Sequence, residues 1–215
     1  MNVPIPTPIY RIVHIDSLKT ILSRRALHAP NFEPDDGRPL RHIHHVSIQE
    51  VRKNLPVPCG PGGTLHDYIP FYFGRRSPML YSIHTRYVKG YNEGQAPIIY
   101  LASDIQTVHA AGNRFVFTDG HAIKGFTEFY DRLDQLSEVP WSSVNSRKWN
   151  DTLDYPDRKR QKQAEFLIYQ QCDWGLIREI GVINQAVQQQ VQSIIAEYPE
   201  NLHRPVSIHR DWYYD

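Results

Sequence analysis

Asp157-Arg158-Lys159-Arg160-Gln161-Lys162-Gln163 runs directly into Ala164-Glu165-Phe166-Leu167-Ile168-Tyr169. The second half reads as a strand. Strand side chains alternate with period two, so Ala164, Phe166 and Ile168 face one side and Glu165, Leu167 and Tyr169 the other. One carboxylate is thereby fixed at the start of a rigid element beside a strip of positive charge. That pairing suits chemistry at an electron-poor carbon of a polyanionic substrate: the carboxylate opposes developing positive charge and the cations hold phosphates. It suits equally a strand-edge glutamate paired with a neighbouring lysine or arginine.

Outward from this strand, the chain punctuates many short elements with proline, 16 in all, and carries 13 tyrosines. A mixed α+β fold follows more naturally than a helical bundle. Tyr10-Arg11-Ile12-Val13-His14 reads as a strand, and Asp16 or Ser17 caps a helix bearing Leu18, Ile21 and Leu22 at helical spacing. From Ala29 to about Gly63 no period survives, so a long irregular segment is expected, of the kind that is usually functional. Strands are expected at Asp67–Phe73, Pro97–Ala102 and Arg114–Thr118. Between the last two, Ser103 or Asp104 caps a short helix that stops at Gly112. Asp119-Gly120-His121-Ala122 forms a turn, Phe126 to Leu136 reads as a helix, and Pro140 to Pro156 as a second irregular stretch. Further strands follow at Ile177–Val182 and Arg204–Arg210. Between these two, Asn184 caps a helix with Val187, Val191, Ile194, Ile195 and Tyr198 on one face.

With 215 residues and 40% hydrophobic composition the chain can bury one substantial core, so a single domain over 1–215 is expected. Its 24 basic and 23 acidic residues give a net charge of +1, so any affinity for nucleic acid must come from local patches. Cys59 and Cys172 stand far apart without CxxC spacing, which supports neither a disulfide framework nor a thiolate zinc site. Neither a secretory leader nor a membrane-spanning run is apparent, and a cytoplasmic protein is expected.

His42, His44, His45 and His66 lack the spacing of H-E-x-x-H or of a zinc finger, and no metal is expected. P-loop, Rossmann and serine-hydrolase signatures do not occur. Cys172 beside Asp173 reads as a packed thiol more readily than as a nucleophile. Polar and charged groups at element ends remain: Glu165, the arginines Arg52, Arg75, Arg76, Arg158 and Arg160, and His14, Ser77 and His121.

Five ordered blocks carry a family resemblance: Leu65 to Phe73, Arg76-Ser77-Pro78-Met79-Leu80-Tyr81, Pro97-Ile98-Ile99-Tyr100-Leu101, Phe117 to Ala122, and Asp157 to Leu167. Together they resemble the DarT family of DNA ADP-ribosyltransferase toxins. The resemblance implies an ADP-ribosyltransferase fold, with two small, mostly antiparallel sheets forming a cleft for NAD and helices outside. NAD is then the co-substrate.

Carried over by position, Glu165 matches the family's catalytic glutamate. Its implied role is to hold the 2′-hydroxyl of the nicotinamide ribose and stabilise the oxocarbenium-like state as nicotinamide leaves. Arg52, in Gln49-Glu50-Val51-Arg52-Lys53, falls where the family has an arginine near the acceptor base. A guanidinium there polarises the base rather than accepting its proton. On the NAD side the resemblance implies His14, and the strand-then-helix element holding Tyr72, Ser77 and Tyr81. On the DNA side it points to His121 for the acceptor nucleotide, and to Arg75, Arg76, Arg158, Lys159 and Arg160 for phosphates. Among Tyr87, Tyr91 and Trp149 the sequence does not separate base-stacking rings from core. A base must be presented unpaired for its ring nitrogen to reach the sugar carbon, so single-stranded DNA is the expected substrate. A macrodomain antitoxin, DarG-like, is the implied partner. Thymine and guanine both stand as acceptors. The competing readings are the same fold acting on RNA or protein, and a non-catalytic single-strand binder.

Overall fold

A computed structural model describes residues 3–215. In chain order it runs β1 (Pro8–His14), α1 (Leu18–Arg24), β2 (Ala26–His28), α2 (Val46–Asn54), β3 (Tyr68–Tyr72), α3 (Pro78–His84), β4 (Ile98–Asp104), α4 (Ile105–Ala110) and β5 (Phe115–Thr118). It continues through β6 (Phe129–Tyr130), α5 (Trp141–Val144), α6 (Arg158–Gln161), β7 (Glu165–Tyr169), β8 (Gln171–Asp173), β9 (Glu179–Val182), α7 (Gln185–Ala196) and β10 (Val206–Ile208). Short 3-10 turns fill several junctions.

Eight strands form one sheet in the order β10-β9-β4-β1-β3-β7-β5-β6, and β2 pairs with β8 in a separate two-stranded sheet. Every pairing is antiparallel except β9 with β10. The large sheet is nearly two. β1 and β4 pair over seven positions from Pro8↔Asp104 to His14↔Ile98, and β3 and β7 over five from Tyr68↔Tyr169 to Tyr72↔Glu165. Between β1 and β3 the only paired positions are Tyr10↔Tyr72. Two four-stranded halves therefore diverge from a single junction, which matches the expected pair of small antiparallel sheets.

Period-two alternation sorts the side chains. On one face Ile9, Val13, Ile69, Phe71, Ile99, Leu101, Phe166 and Ile168 pack into the main core, covered by α1 and α7 through Leu18, Leu22, Val187 and Val191. This face is continuous across both halves. On the other face the cover is split. Tyr10, Ile12, Ile98 and Tyr100 pack under α3 and the C-terminal Trp212 and Tyr213, whereas Tyr68, Val116 and Leu167 pack under Val57, Leu65 and Ala122. The break between these two covers opens a cleft at the junction of the half-sheets.

Of the expected caps, Asp104 and Asn184 hold, whereas Ser17 precedes α1 without a side-chain cap hydrogen bond and Ser77 caps α3 unforeseen. Ser77 accepts a hydrogen bond from Leu80 N–H, Asp104 from Thr107 N–H and Asn184 from Val187 N–H, each three residues into its helix. Expectations about three segments fail, among them the irregular stretch 140–156, which holds α5 over Trp141–Val144. Phe126 to Leu136 is not a helix: Phe129–Tyr130 adds edge strand β6, and the helical turn is a 3-10 segment over Leu133–Glu138. Phe117 faces Tyr130 with rings stacked at 5.4 Å, so pairing to β5 overrides the local helical pattern. The stretch 29–63 is not wholly irregular either, because it holds α2. Only Arg52 of that helix is buried, so it carries no apolar stripe for a periodicity reading to find.

Candidate active site

The cleft has a volume of about 410 Å³. β1 supplies Arg11, β3 Tyr72, β7 Glu165, α2 Gln49 and Arg52, and the turn after β5 supplies His121. Glu165 is the first residue of β7 and shares its face with Leu167, so it points into the break in the cover.

Glu165 is 2% exposed. Nη1 of Arg52 donates to Oε2 at 2.9 Å and Oε1 at 3.2 Å, and Ala122 N–H donates to Oε1 at 3.1 Å. Its backbone N–H is held by Thr118 Oγ1 at 3.0 Å, whose own hydroxyl donates to Gly120 O. A carboxylate fixed this way is preorganised to meet positive charge on a ligand without reorienting.

The turn that supplies Ala122 N–H is itself clasped. Arg160, buried in α6, pairs with Asp119 at 2.7 Å and with Asp157 at 2.6 Å. Nη1 also reaches Thr127 Oγ1, which donates to His121 O, while Arg160 O accepts from His121 N–H. Gly120 is flush against this guanidinium: a Cβ there would overlap Arg160 Nη1. Arg160 is therefore not free for DNA phosphate as expected, because two carboxylates already occupy it.

Arg52 is 6% exposed, and its Nη2 is buried without a hydrogen-bond partner. Such a donor costs free energy unless a ligand satisfies it. Arg11 donates through Nη1 to Pro70 O at 2.9 Å and leaves Nε unpartnered. Burial, with Arg52 close by, pushes its pKa down to about 10. Burial also pushes the His121 imidazole below its ordinary value, with Glu165 pulling the other way and Arg52 adding to the depression. Burial and then Glu165 push the Tyr72 phenol up, so it stays a hydrogen-bond donor.

Of the residues expected from sequence, Glu165, Arg52, Tyr72, His121 and Lys159 meet in the cleft. The others do not line it. His14 ends β1 with Nδ1 accepting from Asp16 N–H and Nε2 3.3 Å from Glu93. Ser77 is spent on capping α3. Tyr81 turns away toward Trp149 and Tyr214, and Arg75, Arg76 and Arg158 line other depressions. Arg11, Gln49, Gln163 and Lys124 line the cleft without having been singled out. A cation inside the apolar strand Tyr10–His14 was the available signal for Arg11. The His42 and His44 rings lie 4.9 Å apart, tilted by 53°, and His44 lines the cleft. Among the described residues no group of three or more His, Cys, Asp or Glu is placed to hold a metal ion. No helix among them is long and apolar enough to cross a membrane.

The sequence profile of the family described as ssDNA thymidine ADP-ribosyltransferase, DarT, matches residues 10–214. The chain belongs to the DarT family. A DNA ADP-ribosyl transferase from Thermus sp. (strain 2.9) is 44% identical over 211 residues, 98% of each chain. Another from Escherichia coli O127:H6 is 34% identical over 96% of this chain and 93% of its own. The solved Thermus sp. 2.9 DarT in complex with ADP-ribosylated ssDNA superposes with TM-score 0.94 at 43% identity, over 100% of this chain and 99% of that one. The same protein in complex with NAD+ gives TM-score 0.88 at 42% identity, over 99% and 100%. The ADP-ribosyltransferase fold implied by the five sequence blocks is therefore the fold of this DarT-family chain, with its cleft at the junction of the half-sheets.

Proposed function

We propose that this DarT-family chain transfers ADP-ribose from NAD to thymine of single-stranded DNA, releasing nicotinamide. The observation that carries this is the buried Glu165–Arg52 pair, with one guanidinium nitrogen unpartnered, at the mouth between two half-sheets. The family description and the solved relatives bound to NAD+ and to ADP-ribosylated ssDNA support the substrate pair.

The bond from the ribose anomeric carbon to nicotinamide breaks, and nicotinamide leaves with the electron pair. Glu165 accepts a hydrogen bond from the neighbouring 2′-hydroxyl, and its negative charge offsets the oxocarbenium-like charge on the sugar. A ring nitrogen of thymine forms the new bond and loses its proton. Arg52 Nη2 donates to the adjacent base carbonyl, spreading the negative charge that this proton loss creates. His121, held neutral by burial, accepts the proton. Tyr72 walls the sugar side of the cleft. Lys159 and Lys124 supply positive charge for phosphates at its rim.

The chain acts as a toxin in the cytoplasm, where NAD and transiently single-stranded DNA coexist, and a macrodomain antitoxin reverses the mark. Nucleosides from single-stranded DNA exposed to the protein and NAD would contain ADP-ribosylated thymidine by mass spectrometry. Label on guanosine, RNA or protein with none on thymidine would refute the proposal.

A further inference from the structure

Two more depressions lie across α3 and α6 from the cleft. Successive helical residues point about 100° apart, so on α3 Ser82 lines the cleft while Tyr81 lines the neighbouring hollow, and on α6 Lys159 and Arg158 divide in the same way. The hollow, about 510 Å³, is walled by Tyr81, Trp149 and Tyr214. Trp149 Nε1 donates to the Tyr214 hydroxyl at 2.8 Å, and that hydroxyl donates to Arg76 O, so two of the three rings are locked in place. Tyr81 meets both edge-on and remains 42% exposed. A rigid, open aromatic wall of this kind is a stacking platform for an unpaired base.

Beside it lies a cationic pocket of about 290 Å³ formed by Arg75, Arg76, Arg147 and Lys162, with Asp211 as the only acid in its lining. Asp211 lies 3.7 Å from Arg75. Lys162 is 3% exposed, and its Nζ makes a single hydrogen bond, to Val144 O. Arg76 Nε is buried with no partner. Burial and then the two neighbouring arginines push the Lys162 pKa down to about 8. Two of these cations keep buried donors, Lys162 with one hydrogen bond and Arg76 Nε with none, which is costly in the absence of an anion. Arg147 lines both depressions, and the Arg76 guanidinium lies 4.8 Å over the Tyr214 ring. The base platform and the anion pocket are thus one continuous surface.

We propose that this surface is a flanking-nucleotide site: the Tyr81–Trp149–Tyr214 hollow stacks a base next to the acceptor, and the Arg75–Arg76–Arg147–Lys162 pocket holds the adjoining phosphodiester. It rests on the reading of single-stranded DNA as substrate. It assigns this surface to the DNA strand rather than to NAD, whose own charge is met by cations inside the cleft. Strand continuity is what α3 and α6 provide, since each presents one residue to the acceptor cleft and the next to the flanking site.

The test uses the full chain with Trp149→Ala and Arg147→Gln, and oligonucleotides that are either long or shortened to the acceptor thymidine on one side or the other. With the long strand, the KM for DNA should rise on the order of tenfold in each variant, with the KM for NAD unmoved. With strands shortened on the side that this surface holds, wild type and variants should converge. A rise in the KM for NAD alone, equal losses on all strands, or no change would overturn the assignment. Arg147 is exposed, so its variant carries the test alone if Trp149→Ala fails to fold. Wild-type protein that labels no oligonucleotide would instead sink the functional reading beneath it.

Discussion

Arg52 Nη1 stands 2.9 Å from Glu165 Oε2 although 113 residues separate the two in sequence. Each is buried, so each neutralises a charge that would otherwise be stranded. The same contact sets the Glu165 carboxylate toward the cleft and leaves Arg52 Nη2 free for a ligand.

Glu165→Gln keeps the shape and removes the charge. Transfer of label from NAD to single-stranded DNA should fall on the order of a hundred- to a thousandfold. Thermal unfolding would separate this from a folding defect.

Arg52→Ala removes the ion-pair partner of Glu165, leaving a buried carboxylate with a backbone donor from Ala122. Stability should drop by about 3–5 kcal/mol, read as a lower urea midpoint, and transfer should be lost as well. Arg52→Lys keeps the charge but cannot both grip Glu165 and donate to a base, so it should restore stability more than activity.

Gly120→Ala places a methyl group against the Arg160 guanidinium and so pushes on the turn that holds Ala122 N–H. Both the melting temperature and transfer should fall. Arg160→Ala should lower transfer through the same turn, although Arg160 does not line the cleft; a normal rate in that variant would show that the clasp is not needed.

His121 is kept below its ordinary pKa of 6.5, chiefly by burial. If its neutral form accepts the proton, the acid limb of the pH-rate profile should lie below the usual histidine range and vanish in His121→Asn. The unfolded chain protonates this residue near 6.5 while the folded chain resists. Stability should therefore decline as pH falls through that value. His44, depressed to about 4 by burial and then His42, extends the decline from about 6.5 to about 4. Urea midpoints at neutral and acidic pH would show it.

The strands and the placement of Glu165 were legible because alternation is a local property: Phe166 and Ile168 enter one core and Leu167 another, as their spacing implies. The partner of that glutamate was legible only by resemblance. α2 buries nothing but Arg52, so no hydropathy pattern marks it as a helix or says which residue turns inward. Basic residues were the least readable. Lys159, Arg158 and Arg160 are consecutive on one helix yet reach the cleft, the aromatic hollow and a buried double ion pair respectively. A run of like charges in sequence does not reveal that a single helical turn distributes them to three different tasks.

β7 lies between β3 and β5, whereas α2 buries only Arg52 fully and otherwise meets the domain at its surface, as where Gln49 bonds His66. The two halves of the Glu165–Arg52 pair therefore differ in how firmly they are anchored. Amide exchange should be slowest around Glu165 and fast along α2, because local opening follows buried contact. On warming, the helix should detach while the sheet keeps its far-ultraviolet signal. A folded but silent enzyme would then exist over a range of temperature, and cooling would switch it back on without refolding.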